Sequence, residues 1–543
     1  MSPALLRARW LGRVGYEEAD ALQRAIHGRT LDDYLLLLEH PHVYTLGSRA
    51  TLDHVLVPPA SVGAQLIEAD RGGDVTYHGP GQLVGYPIIT LPGWRDGIQD
   101  VVAYVRRLES VLIATFADLG VHATRQPGLT GVWMGEDKLA AIGVRVARGR
   151  TRHGFAINID PDLSMFDHIV PCGIRDKGVT SVAKLLGAAP PMREVVDRVV
   201  EHFALEFDAA TVERNDVAWR ATRDKRKVNA SGDGRANAAI TRLADAGVPV
   251  SVKSPTFRRP PWMRVRADLG ERYRSTRRLM RTMDLHTVCE EAGCPNIYEC
   301  WADRTATFMI LGDRCTRACG FCLVDTRKPL PLDEGEASRV ADAVAALGLK
   351  HAVVTSVARD DLPDGGASGF AATIHAIRRR VPGTTVEVLI PDCKGDGHAL
   401  DAIFEARPDV LNHNLETVAR LQRAVRPNAG YARSLGVLAR ARDAGLVTKS
   451  GVMLGLGETS EEVRAAIVDL RSVGVDLLTL GQYLRPSPRH LPIVRWWHPE
   501  EFSLLGDEAR QLGFAHVEAG PLVRSSYHAR RAVERATVES AAS

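Results

Sequence analysis

Between Cys289 and Cys322 the chain holds six of its eight cysteines, and no other feature limits its fold as much. They form two groups of three, Cys289-x4-Cys294-x5-Cys300 and Cys315-x3-Cys319-x2-Cys322. The N-terminus, Met1-Ser-Pro-Ala-Leu-Leu-Arg-Ala-Arg-Trp10, has no uninterrupted apolar core of signal-peptide length. Closely spaced thiols in such a chain read as metal ligands rather than disulfides. Structural zinc normally takes four ligands, often as paired Cys-x2-Cys knuckles. A cubane 4Fe–4S cluster held by three thiolates keeps one iron open. Two such clusters are expected, with zinc as the alternative.

The second group sits in Gly312-Asp-Arg-Cys-Thr-Arg-Ala-Cys-Gly-Phe-Cys322. This resembles the motif of radical S-adenosylmethionine (SAM) enzymes. The resemblance implies that the open iron holds the amino and carboxylate groups of SAM, whose cleavage yields a 5′-deoxyadenosyl radical. The cofactor supplies the hard chemistry and the protein positions it.

The first group, just upstream, resembles that of lipoyl synthase. The resemblance continues through Arg259-Pro-Pro-Trp-Met-Arg-Val-Arg266, Thr355-Ser-Val-Ala-Arg-Asp-Asp-Leu-Pro-Asp-Gly-Gly366, Leu411-Asn-His-Asn-Leu-Glu416, Lys449-Ser-Gly-Val-Met-Leu-Gly-Leu-Gly457, Gln482-Tyr-Leu-Arg-Pro-Ser487 and Val523-Arg-Ser-Ser-Tyr527. It covers roughly residues 256–532. It implies that Ser526 completes the first cluster, with Cys289, Cys294 and Cys300. A serine oxygen matches iron less well than thiolate does. That fits a cluster sacrificed as the sulfur donor.

At 543 residues the chain is too long for one core. Its 45% hydrophobic content is ordinary, and a net charge of +3 implies no global preference for nucleic acid. No window approaches about eighteen consecutive apolar residues, so no membrane partner is expected. A soluble, cytoplasmic protein is expected, because the clusters need a reducing compartment.

Helical spacing runs from Tyr16 to His27, and short strands are expected at Tyr34–Glu39 and up to Leu46. Next comes Arg71-Gly-Gly-Asp-Val-Thr-Tyr-His-Gly-Pro-Gly-Gln82, with four glycines in twelve residues. Glycines let backbone approach a ligand closely. Alone, such a loop is equally a hairpin turn. The long form, with Gly135-Glu-Asp-Lys-Leu-Ala-Ala-Ile-Gly143, His153-Gly-Phe-Ala-Ile-Asn158 and His168-Ile-Val-Pro-Cys-Gly-Ile174, resembles the octanoyltransferase branch of the biotin/lipoate ligase superfamily over roughly residues 4–205. The resemblance implies an α/β domain. It also implies a substrate site of Arg71, Gly72, Gly73, Asp74, Val75, Thr76, Tyr77 and His78, joined by Ala141, Ile142, Gly143, Gly154, Phe155 and Ala156.

Moving an acyl group between two carriers needs a nucleophile that holds it in between. A cysteine thiolate does so, and its thioester matches a thioester donor in energy. A free thiol is mostly protonated at neutral pH, so a cation must lower its pKa. Cys172 and Lys138 are the candidates. Alone, Cys172 reads as a small buried residue and Lys138 as a solvated one; the motifs around them reverse both readings.

Residues 1–212 are therefore expected to form an octanoyltransferase domain and 258–543 a radical-SAM domain. Residues 213–257, charged and Ala/Gly-rich with a short helix near Ala236–Ala246, are expected to be a linker. Beyond them, Arg258–Arg281 carries nine arginines against Asp268 and Glu271. It reads equally as a solvated face or as a dock for acidic carrier domains.

Apolar runs recur at Thr307–Leu311, Ala352–Val357, Val386–Ile390, Val410–Asn414, Lys449–Leu454 and Leu477–Gln482 with helices between them. One helix opens on Thr459-x-x-Glu462, a capping box. Alternation implies a parallel sheet, and six units suit a partial (β/α)6 barrel. Chemistry in such barrels sits at the C-terminal strand ends. There lie the cysteine loop, Ser356, Arg359, Asp360, Asn414, Glu416, Gln482 and Arg485, of which Ser356, Asn414 and Glu416 are the expected SAM contacts. Cys393 has no partner at ligand spacing and reads as inert packing.

The two resemblances imply consecutive steps of protein lipoylation. The expected donor is octanoyl-acyl carrier protein. Expected acceptors are lipoyl domains of 2-oxoacid dehydrogenase E2 subunits and the glycine cleavage H protein. Sulfur insertion at C6 and C8 consumes two SAM and needs an electron donor such as ferredoxin or flavodoxin. Alternatives are an ATP-dependent lipoate or biotin ligase, another sulfur-inserting radical enzyme, or a cluster scaffold.

Overall fold

The structure is a computed structural model that describes residues 5–92, 100–173, 176–219, 234–249, 259–264, 270–291, 294, 296–302, 307–527 and 529. The chain divides into two compact units, residues 1–219 and 220–543. Among the described residues no helix is long and apolar enough to cross a membrane.

The first unit is built on a nine-stranded mixed sheet. Its centre is Asp33–Glu39, Gln82–Ile88, Arg150–Asn158 and Asp137–Ala147, each antiparallel to the next. Tyr34 to Leu38 are all buried because the sheet is covered on both faces. Leu35 and Leu37 pack with helices Val101–Asp118 and Met192–Glu206. Helix Tyr16–Arg29 packs on Arg150–Asn158 and Gln82–Ile88. A small second sheet joins Val43–Leu46 to Gln65–Glu68 and Thr76–His78.

The second unit holds one eight-stranded sheet in simple chain order: β1 (His286–Thr287), β2 (Thr307–Ile310), β3 (His351–Ser356), β4 (Thr385–Leu389), β5 (Val410–Asn412), β6 (Val447–Leu454), β7 (Leu477–Gln482) and β8 (His516–Gly520). β1 runs antiparallel to β2, and every later pair is parallel. The six expected strands are β2 to β7, and β1 and β8 extend the sheet at its two edges. β1 is two residues long and β8 carries only two apolar side chains, too little for a periodic signal. The expected capping box is present: Thr459 Oγ1 accepts from Glu462 N, and Glu462 Oε2 accepts from Thr459 N.

Part of the stretch expected to be a linker is packed structure. Helix Gly234–Asp245 contacts Gln422–Val425, and Leu243, Ala246 and Val248 are buried. Arg242 Nε donates to Ala424 O at 3.3 Å, and Arg420 Nη1 to Ala246 O at 2.5 Å. Its apolar side chains need a surface, and the barrel wall supplies one.

Candidate active sites of the two units

The C-terminal strand ends of the second unit surround a cavity of about 530 Å³. Both cysteine groups reach it: Cys289 and Cys294 from one side, and Cys315, Cys319 and Cys322 from the loop after β2. That loop is anchored by its backbone. Cys315 N donates to Asp325 O at 2.7 Å, Thr316 N to Ala358 O at 3.0 Å and Gly320 N to Val425 O at 2.9 Å. Arg317, between two of the cysteines, is buried and donates twice to Asp360 at 2.8 Å. Its Nη2 also lies 2.7 Å from the fully buried Asp392. Cys315 Sγ accepts backbone N–H groups from Ala358 at 3.3 Å and Arg317 at 3.4 Å. Such donors tune a metal-bound sulfur.

Burial, with neighbouring thiols adding to it, pushes Cys322 up to about 12 and Cys289 up to about 11. Cys294 and Cys319 are raised too, chiefly by burial. Bound iron would have to displace these protons.

Ser526 lines the cavity with Cys289 and Cys294. Its turn closes by Tyr527 N donating to Arg524 O at 2.9 Å. Asn296 Nδ2 holds Leu522 O at 2.8 Å, and Tyr527 OH reaches both Glu299 oxygens at 3.4 Å. Cys300 is half-buried beside Tyr527. The four expected ligands of the first cluster are thus carried on two segments stitched to each other.

Ser356, Asn414 and Glu416 line the same cavity. Ser356 Oγ and Asn414 Oδ1 are buried with no partner among the described residues. Buried polar groups are normally paired, so these two fit a ligand with polar groups of its own. Burial raises the Glu416 carboxyl, although Arg426 and the Asn414 amide pull it down. Other expected rim groups are tied up. Gln482 Nε2 donates to Arg495 O at 3.1 Å and its Oε1 accepts from Trp497 N at 2.9 Å. Arg485 donates to His490 O at 3.0 Å, and Arg359 to Asp361 at 2.9 Å. Cys393 is buried in the core as expected, and burial pushes its thiol up to about 12.

In the first unit the glycine-rich loop lies against the sheet. Gly72 N donates to Val144 O at 3.0 Å, and a Cβ at Gly143 would meet Gly72 O at 2.9 Å. Gly143, Ile142 and Ala141 are the cross-strand partners of Gly154, Phe155 and Ala156, so two expected site segments are neighbours. Arg71 is buried and donates to Thr45 O at 2.6 Å. Val75 and Tyr77 lie on this loop with their side chains turned inward. Their side chains pack with Tyr44, Phe166 and Ile169 in a small core. Thr76 pairs with Thr45 in the small sheet.

His78 is buried, with Nδ1 2.7 Å from Gln82 Oε1. Burial, reinforced by His40, lowers it to about 3, so it stands neutral at neutral pH. Gln82 Nε2 continues to Asn158 Oδ1 at 2.9 Å, and Asn158 Nδ2 to Thr180 O at 3.0 Å. Thr180 N returns to Lys138 O at 3.0 Å. Lys138 is itself buried, its Nζ 4.7 Å from the Trp133 ring centre, with no carboxylate partner among the described residues.

Cys172 stands in the 3-10 turn Pro171–Gly173, which packs on strand Thr76–His78. Its side chain lies outside the described residues. A Cβ at Gly173 would stand 2.7 Å from Asp74 Oδ2, which itself lies 2.7 Å from His54 Nδ1. His54 had no motif to mark it. Asp20, Asp70 and His153 also converge, but Arg24, Arg145 and Arg152 already supply the cations there.

Comparison with known proteins gives each unit a relative. Residues 16–204 match the lipoyl protein ligase A/B catalytic domain. Residues 231–294 match the N-terminal domain of lipoyl synthase of the radical SAM family, and 309–470 the radical SAM superfamily. The lipoyl synthase of Mycobacterium tuberculosis (strain ATCC 25618 / H37Rv) is 58% identical over 286 residues, 53% of this chain and 92% of that protein. That of Rubrobacter xylanophilus is 59% identical over 280 residues, 51% of this chain and 87% of that protein. A solved bi-partite lipoate protein ligase of Thermoplasma acidophilum is similar at 18% identity and a TM-score of 0.32, covering 39% of this chain and 85% of that one. Through its second unit the chain belongs to the lipoyl synthase family of radical-SAM, iron–sulfur enzymes, and with its lipoyl protein ligase A/B domain it is a two-domain enzyme of protein lipoylation.

Proposed function

We propose that the first unit moves octanoyl from octanoyl-acyl carrier protein onto Cys172 and then onto a lysine of a lipoyl domain. The Cys172 thiolate attacks the donor thioester and the carrier thiolate leaves. The acceptor amine then attacks the new thioester and Cys172 leaves as thiolate. The Lys138 ammonium favours the thiolate and passes protons to the leaving groups. The glycine-rich loop at Gly73 approaches the acyl group, and neutral His78, whose Nδ1–H is held by Gln82 Oε1, offers its Nε2 only as an acceptor. Acceptors are lipoyl domains of 2-oxoacid dehydrogenase E2 subunits and the glycine cleavage H protein.

The second unit completes the lipoyl group on the same acyl chain. Cys315, Cys319 and Cys322 hold the SAM-binding 4Fe–4S cluster; Cys289, Cys294, Cys300 and Ser526 hold the sulfur-donating one. When bound, cluster and SAM supply the radicals that open C6 and C8 to sulfur, and ferredoxin or flavodoxin supplies electrons. Ser356, Asn414 and Glu416 orient SAM, and the apolar walls exclude water from the octanoyl chain. The observation that carries this reading is that Cys315, Cys319 and Cys322, Cys289 and Cys294 of the first group, and Ser356, Asn414, Glu416 and Ser526 all line one cavity.

The test is mass spectrometry of an unmodified lipoyl domain after anaerobic incubation with reconstituted protein, octanoyl-acyl carrier protein, SAM and reductant. A carrier bearing octanoyl plus two sulfurs is expected. A carrier left unmodified without ATP and modified with it would return the first unit to the ligases.

A further inference from the structure

The Asn414 carboxamide joins the two sides of the cavity. It stands just beyond the end of β5 with 7% of its surface exposed. Nδ2 donates to Glu416 Oε1 at 3.1 Å and to Ser525 Oγ at 2.6 Å, so both amide hydrogens are committed. Arg426 Nη1 holds its backbone carbonyl at 2.8 Å. Its Oδ1 is buried without a partner among the described residues. Gly451 leaves it room, since a Cβ there would stand 2.9 Å from it. Ser525 directly precedes Ser526 in the turn that faces Cys289 and Cys294.

We propose that Asn414 and Ser525 form a positioning relay, through which an amino-acid head group bound on the Asn414 side of the cavity steadies Ser526 on the sulfur-donating cluster. The inference rests on the reading of the cavity as a SAM and cluster site. An ammonium donating to Oδ1 satisfies a buried acceptor whose lost hydration is otherwise uncompensated. It also fixes the face of the carboxamide, because a flipped amide would turn its oxygen toward the Glu416 carboxylate. An amide fixed this way holds Ser525, and with it the backbone of Ser526. Hydrogen bonds in such a chain strengthen one another in a site shielded from water. Linkage makes the effect reciprocal: a cluster seated on Ser526 raises head-group affinity by the same factor.

The test is a thermodynamic cycle on the full-length reconstituted protein. The probe is S-adenosylhomocysteine, which has the amino and carboxylate groups of SAM and no sulfonium to cleave. Its dissociation constant is measured by calorimetry, with iron content checked in each protein. Removing the sulfur-donating cluster by Cys289→Ala, Cys294→Ala and Cys300→Ala should weaken binding about fivefold or more. Ser525→Ala should reproduce that loss with the iron retained, and adding it to the triple variant should cost nothing further. Ser525→Thr, which keeps the hydroxyl, should bind as the parent does. Unchanged affinity in Ser525→Ala, or losses that simply multiply, would overturn the relay. A parent protein that keeps its iron and does not bind the probe would overturn the SAM-site reading and the relay with it.

Discussion

Arg317 Nε and Nη2 each donate to a carboxylate oxygen of Asp360 at 2.8 Å, so the side chain between Cys315 and Cys319 clamps the cysteine loop to the segment after β3. The same guanidinium neutralises Asp392, which no solvent reaches. A fork of donors matches a carboxylate in a way that a lysine cannot. Removing one partner of a buried ion pair leaves the other charge uncompensated, at a cost of about 3–5 kcal/mol. Arg317→Met should therefore lower the thermal midpoint of the second unit and the iron recovered after reconstitution. Arg317→Lys should fall between that variant and the parent. Iron assay and calorimetry check both.

The first unit should weaken in acid at a pH set by two histidines. Burial holds His78 down at about 3, with His40 adding to it, and burial lowers His40 to about 4. Both folded values lie below the ordinary value of 6.5. The unfolded chain therefore binds more protons below that value, and stability falls with pH. The contribution is complete above about pH 6.5 and is lost progressively toward pH 4 and 3. His78→Gln should flatten the midpoint-against-pH curve of this unit over that range. An unchanged slope would mean that other groups govern its acid unfolding.

Much of both sites is local in sequence and was legible there. The cysteine trios, the runs that became β2 to β7 and the Thr459 capping box all lie within short windows. The unreadable part consists of pairs between distant positions. Asn414 meets Ser525 across 111 positions, and Arg317 meets Asp360 across 43. His54 comes beside the Cys172 turn only through Asp74, which folds against it from 20 positions away. The phase of the loop that carries Val75 and Tyr77 was not legible from its glycines. Pairing of Thr76–His78 with Val43–Leu46 sets that phase and turns both side chains into the core. The short helix after Gly234 was legible as a helix, but its burial depends on a barrel surface near residue 424, far along the chain.

Chemistry in the two units should separate cleanly. Cys172→Ala should abolish octanoyl transfer and leave sulfur insertion into a pre-octanoylated lipoyl domain at the parent rate. Lys138→Met removes a buried ammonium held over Trp133 and should slow transfer by about 10²–10⁴-fold, the range of a general acid–base group. The loss should appear in kcat. Transfer that survives Cys172→Ala would exclude the thioester route.

Helix Glu271–Thr282 turns one face to the segment that bears Cys300 and the other to solvent. Thr276 Oγ1 donates to Trp301 O at 3.1 Å, and Tyr273 stacks on Trp301 at 5.2 Å. Outward stand Arg274, Arg277, Arg278 and Arg281, of which only Arg277 and Arg274 reach carboxylates, at 3.6 and 3.9 Å among the described residues. So much exposed charge of one sign gains little from local pairs and acts at range on an approaching acidic surface. Reversing Arg274, Arg278 and Arg281 to Glu should raise KM for an octanoylated lipoyl domain on the order of tenfold at low salt, with kcat little changed. The difference should shrink as ionic strength rises and the Debye length falls below about 10 Å. A short uncharged octanoyl-lysine peptide should be processed equally by both proteins, because it carries no acidic surface for these arginines to attract. Equal sensitivity of peptide and domain would mean that the arginines act on the cluster segment beneath them and not on the carrier.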